Sequence, residues 1–180
     1  MRSRSLGLAA TLAVLAGLGS TAQAAGRAGA QGKVRIGVYD NRAVAVACAM
    51  AGMGPVKAMK ARMAEYEAAK KAGNTARANE LETWGKNQQR LMHFQGFGHV
   101  PVGDLLEPIK AQLAQLARVK GLAAIAMECD FAGPNVEVVD VTDAIVELYK
   151  PTDRTRKVVA EMRAVKPLSL LELADMPAEK

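Results

Sequence analysis

Few residues in this chain have side chains that do chemistry, and their spacing limits what they can do. Cys48 and Cys129 are the only thiols, and His93 and His99 the only imidazoles. A metal site needs three or four ligands in a closed arrangement. The segment HFQGFGH offers two imidazoles six residues apart, with no ligand pair of helical or loop spacing beside them. A Cys–His nucleophile needs a base within hydrogen-bond reach and a third group that orients it, and no surrounding motif supplies these. Gly52-Met53-Gly54 lacks the following Lys-Ser/Thr of a phosphate loop. We therefore expect no enzyme activity, no catalytic residue, no metal and no cofactor. The two cysteines either bond to each other or stay separate buried thiols, because a bridge needs Cα atoms within about 7 Å and spacing alone sets no such distance.

A different kind of chemistry is concentrated in residues 55–95. Val56, Met59, Met63 and Tyr66 recur at three- and four-residue steps, as do Leu81, Trp84, Gln88 and Leu91. Each set therefore shares one face of a helix. A turn at Gly73-Asn74 would bring Tyr66 opposite Leu81, Met63 opposite Trp84, Met59 opposite Gln88 and Val56 opposite Leu91. Around this thin seam stand eight cations, Lys57, Lys60, Arg62, Lys70, Lys71, Arg77, Lys86 and Arg90, against four glutamates. That excess is either a solvated face or an attraction to acidic unfolded chains and anionic lipid surfaces. Met53, Met59, Met63 and Met92 lie on or beside the same stretch, and flexible, polarizable side chains suit both a seam and promiscuous apolar contact. The candidate binding residues are Val56, Met59, Met63, Tyr66 and Trp84, together with the eight cations. So narrow a seam makes no domain core. It predicts an antiparallel helical hairpin projecting as an arm from a separate body.

The flanking segments must supply that body. Arg2 and Arg4, an apolar run over residues 6–18 and an A-x-A ending at Ala24 read as a cleaved signal peptide over residues 1–24. That run falls short of the ~20 residues a spanning helix needs. The expected location is a bacterial periplasm, and with no recognition motif present the net charge of +6 is not expected to serve nucleic acid. A leader over 25–32 precedes Val34, Ile36 and Val38, whose alternation with Arg35, Gly37 and Tyr39 predicts a half-buried strand. Asp40 is placed to cap a short Ala-rich helix with Val44 and Cys48 on one face. Pro55 opens the arm, and GFGHVPVG closes it in a hinge or corner over 96–102. Asp104 with Glu107 resembles a capping box for a helix whose buried stripe is Leu105, Ile109, Leu113 and Leu116. Residues 122–128 and 136–141 read as a β-hairpin, and Thr142 as the cap of a helix over 143–150. The body thus comprises 33–54 and 103–150. Beyond it, residues 151–180 read as a helix and a tail whose Leu168, Leu170, Leu171 and Leu173 are too apolar to be left in water.

This order of elements, with VEVVDVTDAIVELY over 136–149 and KVRIGVYDNRAVAVA over 33–47, resembles the Skp/OmpH family of periplasmic chaperones. The likeness spans about 33–150, and the arm matches in kind rather than residue by residue. The resemblance implies an α+β fold, a small β-sheet or barrel body that forms a homotrimer, and helical arms around a cavity for unfolded outer-membrane proteins. It implies an ATP-independent holdase. The alternative is a periplasmic scaffold that keeps the fold without the holding activity.

Overall fold

The computed structural model describes residues 32–176. The signal peptide and most of the leader expected before Gly32 lie outside the described residues. The fold is α+β, with helices greatly outweighing one three-stranded sheet.

Strand β1 (Val34–Val38) is central, with β2 (Ala124–Ala126) on one side and β3 (Val136–Asp140) on the other. Both neighbours run parallel to it. The β-hairpin expected from 122–128 and 136–141 does not form, because those two strands never pair with each other. The reason lies in the connection over 127–135. Tight hairpins use about two to five residues, whereas this longer segment carries the chain back along the sheet to start β3 at the same end as β1.

Register sets Gly37 beside both Ile125 and Val139, and this face of the sheet looks into the core. A Cβ on Gly37 would stand 3.0 Å from both Leu122 Cδ1 and Val141 Cγ2, so a side chain there would have to push both neighbours aside. On the opposite face Val34 and Val138 are exposed.

Helix α1 (Asn41–Met50) follows at once, its first turn capped by Asp40, whose carboxylate accepts from the Arg42 N–H at 2.9 Å. Small side chains let α1 sink into the core, where Ala43, Val44, Ala47 and Cys48 are all buried. Gly52 and Gly54 turn the chain at φ of 65° and 54°, and Pro55 starts α2 (Pro55–Lys71). The turn at Ala72-Gly73-Asn74 leads into α3 (Thr75–Phe97), where the Asn74 side chain accepts from the Arg77 N–H.

The single helix expected from Asp104 is divided into α4 (Gly103–Leu106), a 3-10 turn (Glu107–Ile109) and α5 (Lys110–Lys120). Pro108 accounts for the break, since it lacks an N–H and its ring clashes with the carbonyl four residues back. The capping box is absent too. Val102 stands at the N-cap, and Asp104 instead accepts from the Gln95 amide at 2.8 Å. Leu105 and Ile109 are buried as the pattern requires, with Leu113 and Leu116 partly so.

Thr142 is the first residue of α6 (Thr142–Leu148) rather than its cap. Its hydroxyl accepts from the Asp40 N–H at 3.0 Å, and the Asp140 carboxylate accepts from the Thr142 N–H at 2.8 Å. The strand ends are thereby tied together.

The tail continues as α7 (Asp153–Arg163), which packs along α1 and buries Val159. It finishes in α8 (Leu170–Ala174), opened by a Ser169–Glu172 capping box.

Candidate interaction site

Helices α2 and α3 meet along a seam that differs from the expected one. Its buried residues are Ala69, Ala78 and Leu81, so the buried part of the seam lies near the turn and is made largely by alanines. Met63 is 60 % exposed and does not sit in the seam opposite Trp84. Arg62 takes that place, its guanidinium carbon 4.5 Å from the Trp84 ring centroid. One residue along a helix is a rotation of about 100°, enough to move Met63 from the seam to its rim. A planar guanidinium covers a flat indole well while its charge stays in water.

The result is a groove of about 240 Å³ walled by Met59, Met63, Tyr66, Leu81 and Trp84, with Arg62 and Lys86 also lining it. Two further cation–ring contacts extend the theme. Lys70 Nζ lies 5.1 Å from the Tyr66 centroid, and the Arg90 guanidinium 5.4 Å from that of Phe94. Of the expected binding residues, the structure brings Met59, Arg62, Met63, Tyr66, Trp84 and Lys86 together. Val56 stands apart, in the wall of a second cavity near the bases of α2 and α3.

The remaining cations divide by partner. Arg77 holds Glu65 at 2.9 Å and Glu80 at 2.7 Å, and Lys86 holds Glu82 at 2.7 Å. Hydrogen bonding to Arg77, then its charge, lowers the Glu80 pKa, and Lys86 does the same for Glu82. Lys57, Lys60 and Lys71 are exposed and make no ion pair among the described residues. Sequence reasoning missed Phe94 under Arg90, although their four-residue separation on one helix was a usable signal.

Both cysteines are free thiols, and only Cys48 is buried. Its Sγ faces the Met53 carbonyl at 3.7 Å, whereas Cys129 Sγ faces that of Phe131 at 3.1 Å. The disulfide reading is therefore not realised. The two residues belong to separate neighbourhoods, α1 and the segment after β2. Burial, with the Asp104 charge second, pushes the Cys48 thiol up to about 11. At neutral pH it is a small apolar group rather than a nucleophile.

His93 packs edge-on against Phe97, and His99 Nδ1 lies 3.0 Å from Glu128 Oε2. Among the described residues, no three His, Cys, Asp or Glu side chains are grouped to hold a metal. Asp40 and Asp140 stand at strand C-terminal ends, a frequent place for ligands in parallel sheets. Each carboxylate already has a guanidinium, Arg42 at 2.8 Å and Arg163 at 2.6 Å, so they act as structural ion pairs.

No helix among the described residues is long and apolar enough to cross a membrane. No family model matches this chain, and no curated protein or solved structure matches it either.

Proposed function

We propose that this chain is a periplasmic, ATP-independent holdase of the Skp/OmpH type that binds unfolded outer-membrane proteins through its α2–α3 pair. On this reading the pair is the projecting arm, and three copies surround one space. The observation that carries it is the groove surface, where an exposed Met63 adjoins Tyr66 and Trp84 beneath Arg62 and Lys70. Such a surface holds apolar side chains weakly and without sequence preference. Unpaired Lys57, Lys60 and Lys71 add long-range attraction for acidic chains or anionic lipid. Nothing is turned over, so no cofactor is called for.

The test is dilution of a denatured outer-membrane barrel protein into buffer containing the purified chain, followed by light scattering. Suppression at a stoichiometric trimer supports the holdase, and unchanged aggregation ends it. A second reading, a scaffold that docks one partner, draws on α8, where Leu170 and Leu171 are 66 % and 80 % exposed. That reading gains if aggregation is unaffected while one periplasmic protein binds stoichiometrically and is lost on Leu171→Glu.

A further inference from the structure

The two outer strands of the sheet differ in how their free edges are protected. Strand β2 has only three residues, and a very short edge offers little to a further strand. Strand β3 keeps unbroken register with β1 over five residues, with neither a bulge nor a proline. Its backbone groups alternate in direction. The Val34 N–H donates to the Asn135 carbonyl and the Val141 N–H to the Val38 carbonyl, so residues 135, 137, 139 and 141 turn toward β1. The N–H and C=O of Val138, the Val136 carbonyl and the Asp140 N–H therefore point outward, and no strand among the described residues pairs with them. Charges can deter such pairing, but here they are taken up within the protein. Glu137 binds Arg35 at 3.1 Å, and Asp140 binds Arg163 at 2.6 Å. Val136 and Val138 share a face with Val34, Ile36 and Val38, where Val34 and Val138 are 49 % and 42 % exposed. Parallel sheets are normally covered on both faces, and this face is left open beside the free edge.

We propose that the free edge of β3 captures an extended segment of an unfolded client, which adds to the sheet as one more strand. This rests on the holdase reading and names the conformation in which the client is bound. An added strand sets every second side chain beside Val136 and Val138, and the others beside Glu137. The edge therefore fits a segment that alternates apolar and polar residues, the pattern of a membrane-spanning β-strand. Size decides against a second copy as the occupant. The edge is about 17 Å long in a sheet about 10 Å thick, far short of the ~800 Å² per partner of a stable complex. One peptide strand needs no more than such an edge. Affinity that comes from main-chain hydrogen bonds also tolerates many client sequences.

The test titrates the purified chain with a peptide of about ten residues, valine and threonine alternating between terminal lysines, while amide chemical shifts are recorded. Saturable shifts are expected in residues 34–38 and 136–140, with exchange of the Val138 and Asp140 N–H groups slowed severalfold. A peptide of the same composition with its valines grouped should bind severalfold more weakly, because it keeps no single apolar face. Methylating the backbone nitrogens of the alternating peptide should abolish binding. Val138→Pro removes an outward N–H at an edge position that tolerates proline. It should abolish the shifts in 136–140 with little change in the urea midpoint, and where it does not fold the methylated peptide decides. The proposal is overturned if no shift in 136–140 saturates, if the methylated peptide binds as well as its parent, or if the shifts centre on 59–86. It is also overturned if 136–140 shift on concentrating the chain alone, which assigns the edge to a second copy. Failure of the chain to prevent client aggregation ends the holdase reading separately, whether or not the peptide binds β3.

Discussion

At the residue scale, Asn41 matters more than its type suggests. Fully buried, it donates through one nitrogen to the Gln95 carbonyl at 3.0 Å and the Gly98 carbonyl at 2.7 Å. It thereby staples the start of α1 to the end of α3. Asn41→Ala leaves two buried carbonyls short of a donor and should cost about 2 kcal/mol, read from the urea midpoint. Next to it, burial raises the Asp40 pKa, but the hydrogen bonds and charge of Arg42 outweigh this and hold it below 3.8. A folded pKa below the unfolded one stabilises above the unfolded value, and that stability is lost as pH falls through the folded value. Stability should therefore decline from about pH 4 downward. In Asp40→Asn that acid slope should flatten, while stability at neutral pH drops by about 2 kcal/mol because nearly buried Arg42 loses its anion.

At the element scale, the glycine-rich corner after α3 is a pinned joint. Leu168 N–H donates to the Phe97 carbonyl at 2.9 Å, and Asn41 holds Gly98 from the other side. Leu173, 1 % exposed, lies so close that a Cβ on Gly98 would stand 2.2 Å from its Cδ1. The backbone there is extended, with φ of −120°, so the constraint is space rather than conformation. Gly98→Ala should displace α8 at a cost of about 1–3 kcal/mol. Amide exchange should quicken in 168–176 and stay unchanged in β1. Helices α7 and α8 thus belong to the body, one packed on α1 and the other closing the corner.

At the scale of the whole molecule, the α2–α3 pair and the body have different chemistry. The body buries an apolar core under the sheet, whereas the pair buries little besides Ala69, Ala78, Leu81 and Gln95. Its surface carries the cations, of which Lys57, Lys60 and Lys71 have neither an ion pair nor an aromatic ring as partner among the described residues. If charge attracts the client, Lys57→Glu, Lys60→Glu and Lys71→Glu together should slow client capture severalfold at low salt. Raising ionic strength should shrink that difference, as the Debye length falls from about 10 Å at 0.1 M to about 3 Å at 1 M. Equal capture by variant and parent at low salt would assign binding to the Met, Tyr and Trp contacts alone.

The sequence by itself determined the local features. Period-2 alternation located β1, three- and four-residue spacing located α2 and α3, Asp40 and Pro55 marked helix starts, and Gly73-Asn74 marked the turn between α2 and α3. These are legible because a cap or an amphipathic face depends on residues a few positions apart. Tertiary structure alone decided the direction of β2 and β3, since alternation names a strand's faces and not its partner. It also decided that Arg62 rather than Met63 covers Trp84, a choice made by packing two helices at one rotation. The candidate groove was therefore legible in its residue types but not in its arrangement. The second cavity, near the bases of α2 and α3, was not legible at all, because its walls come from segments more than a hundred residues apart in the chain.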